Sequence, residues 1–291
     1  MITKELENEI DQYLRQLFPI TRSITGNGNR KTLKILQEIA PLNIKEYKSG
    51  SPVYDWTIPN EWNIKDAWIK DVNGNKLIDF HVSNIHVVGY SEPFHAKKTF
   101  NELKDHLHTH PKLENAIPYR TSYYKKDWGF CSTKKQYELI YKAPGPLEIF
   151  IDSEFNEKGS LSIGELLIPG ESEEEILIST YICHPSLAND NLGGMVMTAF
   201  LARELLKQPK PKKSYRIIWV PETIGAIAYC AMNEKEMKKI DSGFVVTTVG
   251  GPGKFGYKKS FNEDHSINPV SYTHLRAHET PEHLVCRLLL E

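Results

Sequence analysis

Apolar residues recur at helical spacing from the start of the chain. Leu6, Ile10, Tyr13, Leu14 and Leu17 fall on one face, and Pro19 closes the run. This spacing predicts an amphipathic helix over 2–18. A turn-rich loop, TRSITGNGNR, follows, then a second helix over 29–40 that Pro41 ends. From about Gly50 the pattern changes. Residues 51–146 are rich in Trp, Tyr, Asn and Pro, and short β-type runs (VYDWTI, AWIKD, KLIDFHV, NIHVVGY) alternate with turns. Asn73-Gly74 between two such runs is a hairpin signal, because that dipeptide tolerates the positive φ of a tight turn. A short helix is expected over 99–107. The segment 51–146 therefore reads as a small β-rich unit inserted in a larger domain.

From about Leu147 the period changes again. LEIFID, LSIGELLI, EILISTYI, YRIIWV and GFVVTTV are apolar strand candidates. Leu192, Met195, Val196, Phe200, Leu201 and Leu205 mark a helix over 191–206, and a further helix is expected over 223–232. Apolar strands alternating with helices indicate βαβ units and a parallel sheet covered on both faces. The expected fold class is α/β, a three-layer α/β/α domain built from 1–50 and 147–269.

Composition narrows the function classes. Of 291 residues, 40% are hydrophobic and 25% charged, as in an ordinary globular chain. Lys plus Arg number 36 and Asp plus Glu 37, so the net charge of −1 gives no electrostatic footprint for nucleic acid or for an anionic membrane surface. No apolar run approaches the roughly 18 residues of a membrane span. The acidic, amphipathic N-terminus lacks the apolar stretch of a signal peptide. Four cysteines, Cys131, Cys183, Cys230 and Cys286, form no CxxC pair and no disulfide framework, so a cytoplasmic location is expected.

The informative stretch is EILISTYICHPSLANDNLGGMVMTAFLARELL. A buried strand ends, His184 follows at once, and Asp190 stands where the next helix opens. The strand RIIWV ends in Pro221 and Glu222. Ligands of open α/β sheets bind outside the carboxyl ends of the strands, so His184, Asp190 and Glu222 can converge on one edge. Imidazole and carboxylate are the usual zinc ligands, and a further carboxylate can ligate the metal or accept a proton from a metal-bound water. Each residue also has a structural reading. His184 can be a loop hydrogen-bonder, Asp190 a helix cap and Glu222 a first-turn residue. Other candidates weigh less. His106, His108 and His110 in HLHTH read as a solvated helix end before Pro111. Tyr119, Arg120, Tyr123, Tyr124 and Trp128 read as packing of the β-rich unit. Arg22 can bind a carboxylate or serve the loop. A Cys183–His184 nucleophile pair is rejected, because neighbours on a strand point to opposite faces.

These residues resemble a family. ANDNLGG after a strand-end His, with VPETIGAIAY downstream, looks like the zinc aminopeptidases of the bacterial leucyl aminopeptidase and aminopeptidase Y type. From about Leu17 to Ser260 the chain more closely resembles bacterial aminopeptidase-like proteins with an inserted small β-rich domain and a C-terminal winged-helix domain. LFPITRSITGNG, YDWTIPNEWNI, AIPYRTSYY, WGFC, IPGESEEEILIST and CHPSLANDN carry that likeness. It implies His184 and Asp190 as metal ligands and Glu222 as catalytic base, with zinc as cofactor and a peptide or small amide as substrate. Three positions depart from the two-metal pattern. Ser186 stands two residues after the His, Thr223 follows Glu222, and Thr247 and Thr248 stand at the end of the strand run FVVTTV, each where an acidic residue is expected. One zinc is therefore expected rather than two. The same departures support an alternative, a catalytically inactive peptidase-fold module that binds a small molecule or carbohydrate precursor.

Residues 270–291, VSYTHLRAHETPEHLVCRLLLE, resemble translated sequencing-adaptor DNA in two segments separated by an index-sized gap. The stretch is expected to be non-native, which sets aside His274, His278, His283 and Cys286. The gene's own sequence is then expected to run out near Asn268 or Pro269, with further ligands beyond.

Overall fold

The computed structural model describes residues 3–251, 256–269, 271 and 288–289. It falls into two compact units, one formed by Met1–Pro59 with Ser160–Glu291 and the other by Asn60–Gly159. The expectation for 270–291 lies on residues outside those described, apart from Ser271 and the backbone of Leu288 and Leu289.

The first unit has a mixed α/β sheet. Its main strands are β1 (Asn43–Lys48), β2 (Ser160–Ile168), β3 (Glu175–Tyr181), β4 (Ser214–Val220) and β5 (Ile240–Val246). They lie in the order β1-β2-β4-β3-β5, followed by the two-residue strands Leu288–Leu289 and Tyr257–Lys258. β1 and β2 run antiparallel to their neighbours, while β4, β3 and β5 are parallel. Four helices matter here: α1 (Lys4–Leu17), α2 (Asn27–Ile39), α3 (Gly193–Leu206) and α4 (Ile224–Met232). The chain leaves β3 through α3 to reach β4 on one side. It then leaves β4 through α4 to reach β5 on the other side. Right-handed crossovers in opposite directions put α3 and α4 on opposite faces, which gives the expected three layers.

Burial follows that arrangement. Ile217 and Trp219 of β4 join Leu17, Leu33, Leu36, Met195, Val196, Ala199 and Phe200 in one apolar core under α1, α2 and α3. Trp219 donates its indole N–H to the Met195 carbonyl at 3.1 Å, so the one polar atom of this buried ring is satisfied. Arg216, one residue out of phase, points to the other face and meets Tyr229 of α4.

The second unit has a four-stranded antiparallel sheet. Glu61–Lys70 pairs with Lys76–Asp79 across the turn containing Asn73 and Gly74, whose φ of 82° bears out the hairpin signal. Leu147–Asn156 pairs with Glu61–Lys70 and with Phe94–Lys98. This corrects the placement of LEIFID with the parallel strands. Leu147, Ile149 and Ile151 are buried while Glu148, Phe150 and Asp152 are half-buried, and that period of two belongs to a sheet with one covered face. The start of NIHVVGY, expected as a strand, is a single helical turn, Asn84–His86. VYDWTI is a two-strand hairpin, Pro52–Val53 with Trp56–Thr57, in the first unit. No helix among the described residues is long and apolar enough to cross a membrane.

Candidate functional site

β3 and β4 run parallel in register, Tyr181 opposite Val220, so the residues just past their ends emerge together. His184 follows β3 and Glu222 follows β4. His184 Nε2 lies 3.1 Å from Glu222 Oε1, and its Nδ1 lies 3.1 Å from the Asp190 carbonyl and 3.5 Å from Asp190 Oδ1. The imidazole is buried at 6% exposure, while the Asp190 and Glu222 side chains keep 46% and 36%. The three residues foreseen from the sequence thus meet at one sheet edge, with one carboxylate at each ring nitrogen.

The structural readings of the two carboxylates fail. Asp190 caps no helix, since α3 begins at Gly193 without a side-chain cap. Ala188–Leu192 is instead an irregular turn in which Asp190 and Asn191 leave helical φ and ψ. Glu222 precedes α4 rather than standing in its first turn.

Local sequence explains the turn. Asn191 is wholly buried, and its amide group donates to Thr180 Oγ1 at 2.8 Å and to the Tyr181 carbonyl at 3.1 Å. Its Oδ1 accepts from the Thr248 N–H at 3.2 Å. One side chain therefore ties the turn to the ends of β3 and β5. Both glycines of ANDNLGG have a steric reason. A Cβ on Gly194 would stand 2.1 Å from Asn191 Oδ1, and one on Gly193 would stand 2.7 Å from the Gly250 Cα. Among the described residues, five non-glycine positions have positive φ. Three of them, Ser186, Thr223 and Thr248, follow the ends of β3, β4 and β5. Left-handed backbone at residues with a Cβ is costly, and it gathers where a site must be shaped.

Electrostatics match the geometry. Burial opposes protonation of His184, but its bonds to Asp190, Cys183 and Glu222 outweigh this and hold its pKa well above the ordinary value. Burial likewise resists ionisation of Asp190, yet hydrogen bonds from His184 and Tyr181 keep its carboxyl below the usual range. Two electronegative atoms held 3.1 Å apart, His184 Nε2 and Glu222 Oε1, need a cation between them. A proton meets that need, and so does a metal ion. Imidazole nitrogen with carboxylate oxygen is a zinc donor set, and the 3.5 Å between His184 Nδ1 and Asp190 Oδ1 is a span that one tetrahedral ion can bridge. The residues present fit zinc.

Sequence reasoning missed three contributors, Cys183, Tyr181 and Thr247. Cys183, His184 and Glu222 have ligand atoms within 4.8 Å of one another, a grouping that excludes Asp190. Strand alternation had set Cys183 apart, but β3 stops at Tyr181 and alternation stops with it. Cys183 Sγ accepts the Glu222 N–H at 3.3 Å and so supports that residue, and burial pushes its thiol pKa up. Tyr181 donates its hydroxyl to Asp190 Oδ1, and Thr247 donates to the Tyr181 oxygen at 2.6 Å.

Of the two readings of Arg22, the structure gives the loop role. The residue is 1% exposed and binds backbone, not a substrate carboxylate, with Nε 2.8 Å from the His184 carbonyl and Nη1 2.7 Å from the Leu17 carbonyl. Ser186, where an acidic partner for His184 was expected, donates to the Phe18 carbonyl at 2.8 Å. The loop after α1 thus clamps the loop after β3. Replacing Arg22 by Ala should cost about 2 kcal/mol, from two buried carbonyls left without their charged donor. Lys should restore little, since one ammonium cannot span both acceptors. Urea unfolding checks this, and an unchanged midpoint for Arg22→Ala would remove the clamp from the account.

Among the described residues the other histidines join no metal-ligand cluster. His106 Nδ1 donates to the Trp128 carbonyl at 2.8 Å, and its ring stacks on that of Trp128 with centroids 4.0 Å apart. Among the described residues the Cys183–His184–Glu222 group is the sole cluster with metal-ligand spacing.

A family model described as a domain of unknown function, DUF4910, matches residues 11–287. The chain belongs to the DUF4910 family. A Clostridium acetobutylicum protein provisionally named for polysaccharide biosynthesis with an aminopeptidase-like domain is 47% identical over 268 residues, 92% of this chain and 61% of the relative. A crystal structure from Clostridium acetobutylicum, provisionally named a peptidase, has a TM-score of 0.88 at 47% identity and covers 92% of this chain and 63% of that one. This DUF4910 chain thus spans less than two thirds of either relative. The zinc aminopeptidase BSAP of Bacillus subtilis has a TM-score of 0.61 at 11% identity, covering 93% of this chain and 76% of its own, a likeness of fold. The fold is peptidase-like and related to that of zinc aminopeptidases.

Proposed function

We propose that this DUF4910 chain is a zinc-dependent hydrolase of the aminopeptidase type, acting on a peptide or another small amide. The observation that carries the reading is His184 held between two carboxylates at adjacent strand ends. His184 and Asp190 would hold one zinc. When bound, the metal would supply a Lewis acid for the scissile carbonyl and an acidified water. His184 presents its ring from a buried, clamped backbone, so its orientation is fixed before substrate arrives. Glu222 has an exposed carboxylate at the same edge, where it can take a proton on Oε1 and return it to the departing amine. The Cys183 thiol, bonded to the Glu222 backbone, holds that carboxylate's chain in place.

The test is metal removal. Stripped with a chelator, the protein should not turn over an aminoacyl-p-nitroanilide, and zinc should restore turnover, saturating at one equivalent. Turnover indifferent to zinc would sink the reading. A second reading, a binding module for a carbohydrate precursor, draws support from the Clostridium relative's name. It predicts stoichiometric zinc with no turnover on any aminoacyl amide.

A further inference from the structure

We infer that Tyr181 is a positioning residue that sets the metal affinity of this site by fastening Asp190, and that Thr247 holds Tyr181 in that role. The inference rests on the zinc reading above. Asp190 sits in an irregular turn and its side chain is nearly half exposed, so its backbone alone does not fix the carboxylate. Tyr181, the last residue of β3, is rigid at its base, paired with Val220 of β4. Its hydroxyl donates to Asp190 Oδ1, the oxygen that faces His184 Nδ1 at 3.5 Å. Its ring meets the His184 ring edge-on, with centroids 5.2 Å apart. One side chain therefore touches both proposed ligands.

Thr247 makes the contact directional. It stands just past β5 and donates Oγ1–H to the Tyr181 oxygen at 2.6 Å. With that lone pair engaged, the tyrosine proton is directed at Asp190. Thr247 is buried, and its neighbour Thr248 is tied through Asn191 to the turn itself. Two strand-end residues, Tyr181 and Thr247, thus brace one carboxylate. Partners of this kind, one step removed from the metal, typically change its affinity about 10–100-fold when lost.

The test is zinc affinity by competition with a chromophoric chelator, with the melting temperature of the zinc-free protein as control. Tyr181→Phe should weaken zinc about 10–100-fold while the zinc-free melting temperature stays put. Thr247→Val should weaken it less, in the same direction, and Thr247→Ser should recover it. Cobalt in place of zinc should show a shifted visible absorption band in Tyr181→Phe, which a merely structural role would not produce. If Tyr181→Phe does not fold, Thr247→Val and Thr247→Ser carry the test alone. Affinities of the Phe and Val variants equal to the original protein's would overturn the role of the hydroxyl chain and leave the zinc reading intact. Zinc binding that His184→Ala does not weaken would overturn the zinc reading and this inference with it.

Discussion

Arg216→Ala is expected to lower the stability of the first unit by about 3–5 kcal/mol, the cost of breaking a buried ion pair by removing one partner. Arg216 lies in the middle of the sheet on the α4 face, 5% exposed. Its Nη2 reaches Glu175 Oε1 at 2.8 Å, with Nε bonded to the other oxygen of the same carboxylate, and its Nη1 reaches Glu165 Oε1 at 2.7 Å. Tyr229 and Lys45 also bind Glu165. Burial resists ionisation of Glu165, but these partners outweigh it and hold its carboxyl below the usual range. Removing the guanidinium leaves two buried carboxylates: Glu165 keeps Lys45 and Tyr229, while Glu175 loses both of its bonds to Arg216. Arg216→Lys should recover only part of the loss, because an ammonium cannot make the two-pronged bond to Glu175. Urea unfolding of the three proteins measures this. An Arg216→Ala midpoint within experimental error of the original would show that water reaches the network and screens it.

Sequence reading located the edge but not its supports. His184, Asp190 and Glu222 were legible because strand-then-loop periodicity places residues on the carboxyl edge whatever the side chains do later. The two glycines and Asn191 of ANDNLGG read as motif letters. Their reason, room for the Asn191 side chain and for the Gly250 backbone, needed three dimensions. Arg22 lies 162 residues from His184 in sequence, so no local pattern links them. Tyr181 and Thr247 read as strand-end residues among others. Arg216 stood in an apolar run and gave no sign of its two acidic partners. LEIFID was misplaced because a short apolar run does not say which sheet it joins, although its alternation of buried and half-buried positions carried the answer.

Glu222→Gln is expected to lower kcat about 10²–10⁴-fold, the usual contribution of a positioned general base, with zinc content unchanged. The replacement has the same shape. Its backbone N–H still donates to Cys183 Sγ, and its side-chain amide can still meet His184 Nε2, so the fold of the edge is kept. What it loses is the capacity to take a proton. Zinc content separates two roles that geometry brings close together. Glu222, not Asp190, lies within ligand distance of both His184 and Cys183, so it is well placed to bind a metal as well as to accept a proton. If Glu222→Gln loses both zinc and turnover, Glu222 is a ligand, and the base must be sought elsewhere, with Asp190 across the ring the first candidate. If zinc stays and turnover persists within about tenfold, the general-base role falls and the geometry at His184 serves binding alone. His184→Ala should lose zinc in every case, since it removes the one group that both carboxylates face.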